Sequence, residues 1–122
     1  MREHTISGVT SSEVAIFVVW QPVLPTDDPK SAMEHAAVEK DARVKHYFDT
    51  SSRLGRAYAS PLASPFDVDG PIAWDVVLLF DRDARWKVEP PKPALYRFPM
   101  DLPSGVPKWD PAAFANEVRK RL

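Results

Sequence analysis

An apolar run that leads into a proline-rich turn constrains the fold of this chain most. Residues 14–20 (VAIFVVW) are continuously apolar, as is typical of a strand buried on both faces of a parallel or mixed sheet. The next segment, residues 21–28, carries two prolines and ends at Asp28, directly before Pro29. A capping carboxylate followed by proline at the first helical position is a helix-start signal. The sequence therefore predicts a strand, a turn, and then a helix that runs to about Lys40.

The rest of the chain predicts a second strand, a hairpin and two more helices. Residues 43–48 alternate between apolar and polar side chains, which is typical of a half-buried strand. Residues 74–81 (WDVVLLFD) form a strong strand pattern, and a returning strand at residues 85–89 completes a predicted antiparallel hairpin. The inward-facing residues are predicted to be Met33, Ala36 and Ala37 in the first helix and Val44, His46 and Phe48 in the second strand. A short helix is predicted at 52–59, after capping residues 49–51 and with Leu54 and Tyr58 inward, and a loop at 60–71. The last helix is predicted at 111–122, with Phe114, Val118 and Leu122 on one face.

This order of elements predicts an α/β fold with a mixed sheet and helices on both of its faces. The length of 122 residues suits one compact domain, and 44% hydrophobic with 27% charged residues is typical of a globular chain. We expect residues 1–12 to form a tail or a weak edge strand and residues 13–122 to form the single domain.

Charge and hydropathy exclude some classes of partner. Sixteen basic and 17 acidic residues give a formal charge of -1, so there is no global attraction to nucleic acid. No apolar run reaches the roughly 20 residues of a membrane span, and we expect no membrane insertion. Residues 1–12 have no apolar signal-peptide core. The compartment, cytoplasmic or exported, is left open.

The turn and the order of elements resemble those of the thioredoxin-like family. Bacterial thiol reductases of that fold follow their central strand with W-A-x-W-C-P-x-C, and residues 20–27 here read W-Q-P-V-L-P-T-D. Trp20 then matches the first tryptophan, whereas Leu24 and Asp27 stand at the two cysteine positions. The proline after the first cysteine is kept. The resemblance covers about residues 13–89 and the last helix, and the turn is similar to that of uncharacterised bacterial thioredoxin-like proteins with W-x-P-x-L-P-T-D.

The resemblance implies the fold but not the chemistry of that family. The chain has no cysteine, and thiol–disulfide exchange requires a thiolate. The same alignment puts Asp75 where thioredoxins have a cis-proline. A non-proline cis bond costs about 2.5–4 kcal/mol, so we predict a trans Trp74–Asp75 bond and an altered peptide-docking geometry.

The candidate contact site is the surface around this turn, because loops at the carboxyl ends of strands form the natural crevice of such sheets. We expect two tryptophans at the rim and two prolines that stiffen the turn. A protein or peptide partner is expected there. This turn surface consists of Trp20, Pro22, Val23, Leu24, Pro25, Thr26, Asp27, Asp28, Trp74 and Asp75.

Acidic residues offer an alternative reading of the same turn. Asp27 and Asp75 predict a carboxylate pair that holds a cation or shares a proton. In this alternative the chain is an enzyme or metal-binding protein that uses these two residues and Asp28. The competing interpretation is that Asp27 and Asp28 cap the helix. No cofactor is assigned. No metal site is assigned either, because the spaced pair His35 and Glu39 is typical of an exposed helix face. His46 is expected to be half-buried and hydrogen-bonded.

Seven of the 13 prolines fall between Pro90 and Pro111. Residues 90–109 predict either a polyproline II ligand for a partner or a rigid strap laid over the domain. Apolar side chains favour the strap, because a free ligand segment would leave them in water. The predicted anchors are Leu95, Tyr96, Phe98, Met100 and Leu102. The sequence as a whole predicts a thioredoxin-like, non-catalytic domain that binds a protein or peptide or has a structural role.

Overall fold

The computed structural model describes residues 8–99, 105–107 and 109–122. The described residues form six strands and three helices. In chain order these are β1 (Ile16–Trp20), α1 (Pro29–Ala37), β2 (Val44–Phe48), α2 (Arg53–Ala59), β3 (Phe66–Asp67), β4 (Pro71–Ile72), β5 (Val77–Leu79), β6 (Leu95–Arg97) and α3 (Pro111–Arg119).

The chain divides into two compact units. The first comprises Met1–Ser11 and Asp75–Leu122, and the second comprises Ser12–Trp74. The described strands form three two-stranded sheets: β1 with β2, β3 with β4, and β5 with β6. Helices and strands are thus mixed, as predicted for the α/β class, but the sheets are small. The single domain over residues 13–122 stays a prediction.

Strands β1 and β2 pair in parallel, with Ile16 opposite Val44 and Trp20 opposite Phe48. The predicted alternation of β2 is confirmed, since Val44, His46 and Phe48 are all less exposed than their neighbours. Burial of β1 on both faces was wrong. Phe17 is 59% exposed and packs beside Tyr47, with ring centroids 6.2 Å apart. The other four residues of β1 are half-buried, and α1 packs against β2 of this strand pair.

Helix α1 begins where the sequence predicts. Asp28 is the N-cap, its side chain accepts a hydrogen bond from the Ser31 N–H, and Pro29 is the first helical residue. The inward face is different from the prediction. Ala32 is buried and Ala36 is half-buried, whereas Ala37 is exposed and Met33 is 71% exposed. The helix has few large apolar residues, so its hydrophobic pattern alone does not fix which side packs.

Helix α2 is held at its start by a side chain outside it. Asp49 Oδ2 accepts a hydrogen bond from the Leu54 N–H at 2.8 Å, while Ser52 adopts a left-handed conformation with φ of 53°. Asp49 therefore acts as a capping residue, as predicted. Tyr58 is buried as predicted, and Gly55 is buried beside it, whereas Leu54 is only half-buried.

A hairpin lies in the segment that the sequence predicts as a loop. β3 and β4 are antiparallel, with Phe66 opposite Ile72. The Arg56 guanidinium of α2 donates to the carbonyl oxygens of Val68 at 2.7 Å and Gly70 at 2.9 Å, which fixes the hairpin turn. Each strand is two residues long, so neither has a periodicity that a sequence pattern can detect.

The strand predicted at residues 74–81 is shorter in the structure. β5 covers Val77–Leu79 only. Asp75, just before it, has φ of 47°, a left-handed conformation that interrupts extended backbone. The Trp74–Asp75 peptide bond is trans, as predicted.

The antiparallel partner of β5 is also different from the prediction. β6 takes this place, with Leu79 opposite Leu95. The returning strand at residues 85–89 was wrong, and Val88 within it is fully exposed. Residues 85–89 are mostly charged, whereas β6 brings Leu95 and Tyr96 into the pairing, so more apolar surface is buried by the observed partner.

Part of the proline-rich segment is anchored, as the strap interpretation predicts. Leu95 and Tyr96 lie in β6, and Phe98 is among the most buried side chains of the described chain. The Phe98 N–H donates to the Pro107 carbonyl at 3.0 Å, which ties the two sides of this segment together. The other two predicted anchors, Met100 and Leu102, lie outside the described residues.

The last helix starts with the predicted capping signal. Asp110 caps α3 by accepting from the Ala113 N–H at 3.0 Å. Phe114 and Val118 are buried as predicted. Leu122 is exposed, because α3 ends at Arg119, one turn before it. No helix among the described residues is long and apolar enough to cross a bilayer.

Candidate functional site

Asp27 closes the turn that follows β1. Its Oδ2 accepts hydrogen bonds from the Val23 N–H at 3.2 Å and the Leu24 N–H at 2.6 Å. The Asp27 N–H returns a bond to the Leu24 carbonyl at 2.9 Å. Aspartate side chains commonly bond nearby backbone groups in this way. One carboxylate oxygen of Asp27 is therefore used to build the turn.

Asp28 completes the transition from turn to helix. Bonds from Ser31, first from its backbone N–H and then from its hydroxyl, lower the pKa of the Asp28 carboxyl, and the Lys30 N–H contributes as well. The Ala32 N–H donates to the Asp28 carbonyl at 3.2 Å. Pro29 has no N–H. The Ser31 and Ala32 N–H groups of this helix start are thus already used.

The turn, the end of β1 and the start of α1 enclose a cleft of about 260 Å³. Its volume is slightly below the range of about 300–1,000 Å³ that small-molecule pockets span. It lies entirely within the Ser12–Trp74 unit. Apolar and polar side chains share its walls, which are formed by Trp20, Gln21, Thr26, Asp27, Asp28, Ser31, Ala32, His35 and Phe48.

Two histidines position the Trp20 side chain. The indole Nε1–H donates to His46 Nδ1 at 3.0 Å, and the two rings stack with an interplanar angle of 16°. His35 contacts the same indole, with ring centroids 5.3 Å apart. His46 is half-buried and hydrogen-bonded, as predicted. The indole nitrogen is a donor only, so His46 Nδ1 is the acceptor of this bond.

His35 Nδ1 is engaged within the helix. It lies 2.8 Å from the Ser31 carbonyl oxygen, and because a carbonyl only accepts, Nδ1 is the donor. His35 is exposed and lines the cleft.

Gln21 joins the floor of the cleft to the rest of its unit. Its Nε2 donates to the Ala73 carbonyl at 3.1 Å, and the Ala73 N–H donates to the Gly55 carbonyl at 2.8 Å. A Cβ placed on Gly55 would clash with Gln21 Oε1 and would lie 2.7 Å from the Ala73 oxygen. A larger residue at this position of α2 would therefore force its neighbours to shift.

The structure brings some of the predicted turn-surface residues together in the cleft. Trp20, Thr26, Asp27 and Asp28 line it, together with Gln21. The four residues between Gln21 and Thr26 form the loop itself, in which Leu24 is 48% exposed as predicted, while Val23 is half-buried.

Trp74 and Asp75 have other surroundings. Trp74 packs edge-on against Phe66, with ring centroids 5.3 Å apart, which fixes it against the β3–β4 hairpin. Asp75 belongs to the other unit. Burial raises the pKa of its carboxyl. The convergence of Trp20 with Trp74 and the pairing of Asp27 with Asp75 stay predictions.

Sequence reasoning missed the helical wall of the cleft. Ser31, Ala32 and His35 follow Asp28 at spacings of three, four and seven residues, which places all of them on one side of α1. That spacing was present in the sequence and could have identified His35 as a site residue. Phe48 has no such signal, because only the parallel register of β2 sets it opposite Trp20.

The acidic alternative is constrained by these contacts. Asp27 and Asp28 both accept backbone hydrogen bonds, and neither forms an ion pair with a described residue. Within the described ranges, no three His, Cys, Asp or Glu side chains are grouped so that they could hold a metal ion. The carboxylates of Asp27 and Asp28 thus have an evident structural role.

No protein-family model, curated protein or solved structure matches this chain. The fold class and the function are therefore inferred from the residues and contacts of the chain itself.

Proposed function

We propose that this chain is a non-catalytic, thioredoxin-like binding module whose turn surface takes a protein or peptide partner. The observation that carries this proposal is the cleft at the carboxyl end of β1, between the turn and α1. Crevices at the carboxyl ends of strands are the usual ligand sites of open α/β sheets. A structural role without a partner is the simplest competing proposal.

The order of elements supports the thioredoxin-like assignment. The parallel unit β1–α1–β2 is followed by α2, by the antiparallel pair β5–β6 and by α3. This is the order on which the resemblance rests, with β6 in place of the strand predicted at residues 85–89. The short β3–β4 hairpin is an addition to it.

The mixed character of the cleft supports binding. Trp20 and Phe48 provide apolar surface, and the turn and α1 provide polar groups around it. The turn is already ordered by Asp27 and stiffened by Pro22 and Pro25, which lowers the entropy lost when a partner binds. Leu24 at the exposed tip adds an apolar contact next to the cleft.

Catalysis at this turn is the weaker alternative. Thiol exchange lacks its nucleophile, because the chain has no cysteine. Asp27 and Asp28 accept hydrogen bonds that build the turn and cap α1, so proton transfer by either would disturb the local structure. An enzyme or metal-binding protein that uses these carboxylates is kept as the second candidate.

Site-specific photo-crosslinking tests the proposal. A benzoylphenylalanine at position 24 should capture a defined partner from the source cell extract, whereas the same group at Val38 should not. Val38 is the matched control because it is exposed and apolar, lies in the same unit and does not line the cleft. Leu24→Asp should then abolish co-purification of that partner while the melting temperature changes little. Equal cross-linking at both positions, or unchanged co-purification of the Leu24→Asp variant, would contradict a contact site at the turn.

A further inference from the structure

The donors on the walls of the cleft are largely engaged by the protein itself. The Trp20 indole N–H bonds His46, and the His35 Nδ1–H bonds the Ser31 carbonyl. In the first turn of α1, the Ser31 N–H bonds the Asp28 carboxylate and the Ala32 N–H bonds the Asp28 carbonyl. Among the residues that line the cleft, the Thr26 hydroxyl and the second amide hydrogen of Gln21 are the side-chain donors left for a ligand.

Acceptors remain in larger number. Asp27 uses only Oδ2 for the turn, and its Oδ1 accepts no hydrogen bond from a described residue. The Asp28 carboxylate keeps capacity beyond its bonds from Ser31, since a carboxylate accepts at about four positions. A ligand that donates several hydrogen bonds complements this set.

The negative charge of the cleft favours a cationic ligand. Asp27 and Asp28 lie side by side, and no described cation forms an ion pair with either. An anion at the start of α1 would meet these carboxylates and would find the Ser31 and Ala32 N–H groups already used. A cation would be attracted by both charges.

The apolar walls define the rest of the ligand. Trp20, Phe48 and Ala32 line the same 260 Å³ cleft as the two carboxylates. A lysine or arginine side chain has an apolar stem and a charged end, and such side chains commonly pack their stems on apolar surface. A small inorganic cation would leave this surface in water.

We propose that the cleft binds a lysine or arginine side chain of a basic peptide partner, with its stem against Trp20 and Phe48 and its charged end at Asp27 and Asp28. This inference rests on the proposed function and names the class of its ligand. The guanidinium of arginine matches the acceptors best, because it carries five donors in a fixed plane.

Short peptides test the class of ligand directly. The probes are acetyl-Gly-Gly-X-Gly-Gly-amide, with arginine, lysine, citrulline, leucine or glutamate at X. Citrulline has the size and shape of arginine without its charge. Binding is followed by NMR through the Trp20 indole N–H and the Val23 and Leu24 amides. The arginine peptide should shift these signals, and the citrulline peptide should bind about tenfold more weakly, as expected for the loss of a charge-assisted contact.

A charge-removing variant locates the contact. Asp27→Asn keeps an oxygen that can accept the turn hydrogen bonds, so the fold is preserved while the charge is lost. It should weaken the arginine peptide about tenfold. Asp67→Asn is the matched control. Its carboxylate also holds a turn, by accepting from the Gly70 N–H at 3.1 Å, and it does not line the cleft. This variant should bind as the wild type does.

The outcomes separate this inference from the proposed function. Stronger shifts of the cleft signals by the leucine or glutamate peptide would overturn the basic class and leave binding at the turn intact. The absence of any peptide-induced shift, together with a specific cross-link at position 24, would also overturn only the class. If neither the peptides nor the cross-linker detect a contact at the turn, both proposals fail. The comparison of arginine with citrulline uses the wild-type protein and does not depend on the folding of a variant.

Discussion

At the scale of single residues, Gly55 has no room for a side chain unless its neighbours move. A methyl group there would meet the Gln21 side chain and the Ala73 carbonyl. Ala73 is held close to this helix because its N–H bonds the Gly55 carbonyl. Glycine to alanine in a helix usually adds up to about 1 kcal/mol of stability, but overpacking costs about 1–3 kcal/mol. We expect Gly55→Ala to destabilise the protein by about 1–2 kcal/mol in urea unfolding.

A double variant checks the cause of this loss. Gln21→Ala removes the closer of the two clashes and leaves the one with the Ala73 oxygen, so Gly55→Ala should cost less in the Gln21→Ala background than in the wild type. A stabilising Gly55→Ala, or strictly additive losses in the double variant, would show that the helix position is open.

Asp41 makes a contribution to stability that is lost at acid pH. Its carboxylate accepts from Arg43 Nε at 3.0 Å and from the terminal guanidinium nitrogen at 2.6 Å. These bonds, followed by that from the Arg43 backbone N–H, lower the pKa of Asp41 from 3.8 to about 2. A lowered pKa in the folded state means that the stabilisation is complete above the ordinary pKa and is lost as the pH falls towards 2.

The carboxyl carbon of Asp41 should therefore titrate near pH 2 in NMR spectra of the folded protein. Arg43→Met is the control, since it removes the guanidinium and should move the midpoint back towards 3.8. The stability difference between wild type and Asp41→Asn should shrink over the same acid range. A midpoint that does not respond to Arg43→Met would contradict this assignment.

At the scale of elements, the proline-rich segment and the loop before it should differ in protection. Arg97 ends β6, is half-buried, and precedes the deeply buried Phe98. Lys87 and Val88 are exposed and lie outside the strands. Since proteases need an extended, accessible chain, we expect trypsin to cleave native protein after Lys87 before it cleaves after Arg97.

Mass spectrometry of early digestion products measures this order. The unfolded protein in urea is the control, because both bonds are then equally accessible and any intrinsic preference becomes visible. Early cleavage after Arg97 in the native protein would favour the interpretation of residues 90–109 as an exposed ligand segment.

At the scale of the whole molecule, the Ser12–Trp74 unit is continuous in sequence and contains the whole cleft. Its parallel strand pair, the Gln21–Ala73–Gly55 contacts and the Arg56 contacts to the β3–β4 turn all lie inside it. We therefore expect a fragment of residues 12–74 to fold. Its margin should be small, because cores below about 70–80 residues rarely supply more than about 3–5 kcal/mol.

Overlay of the NMR spectra of the fragment and the full chain tests this expectation. The Trp20 indole N–H is the critical signal, since its bond to His46 reports the paired strands and the cleft wall. The Gly55→Ala fragment serves as the destabilised control. Random-coil shifts for the wild-type fragment would show that residues outside 12–74 are needed to form the cleft.

The sequence by itself determined the features that depend on short-range contacts. Both long helices begin at an aspartate followed by proline, and each aspartate bonds an N–H only three residues away. That interaction needs nothing beyond the local chain, so its position could be predicted to the residue. The alternation of β2 was equally readable, because one side of a strand must be more apolar when α1 covers it. The predicted thioredoxin-like family and the turn surface rest on this local level and remain proposals.

Only the tertiary structure decided which elements meet. β5 pairs with β6 and not with residues 85–89, and the side of α1 that packs is marked by small alanines that carry little hydrophobic signal. The bond between Trp20 and His46 joins residues 26 positions apart. It exists because a parallel register places β2 beside β1, and no local pattern encodes that register. The cleft has the same origin. Its turn was predictable from residues 20–28, whereas its aromatic and histidine walls required the packing of α1 and β2.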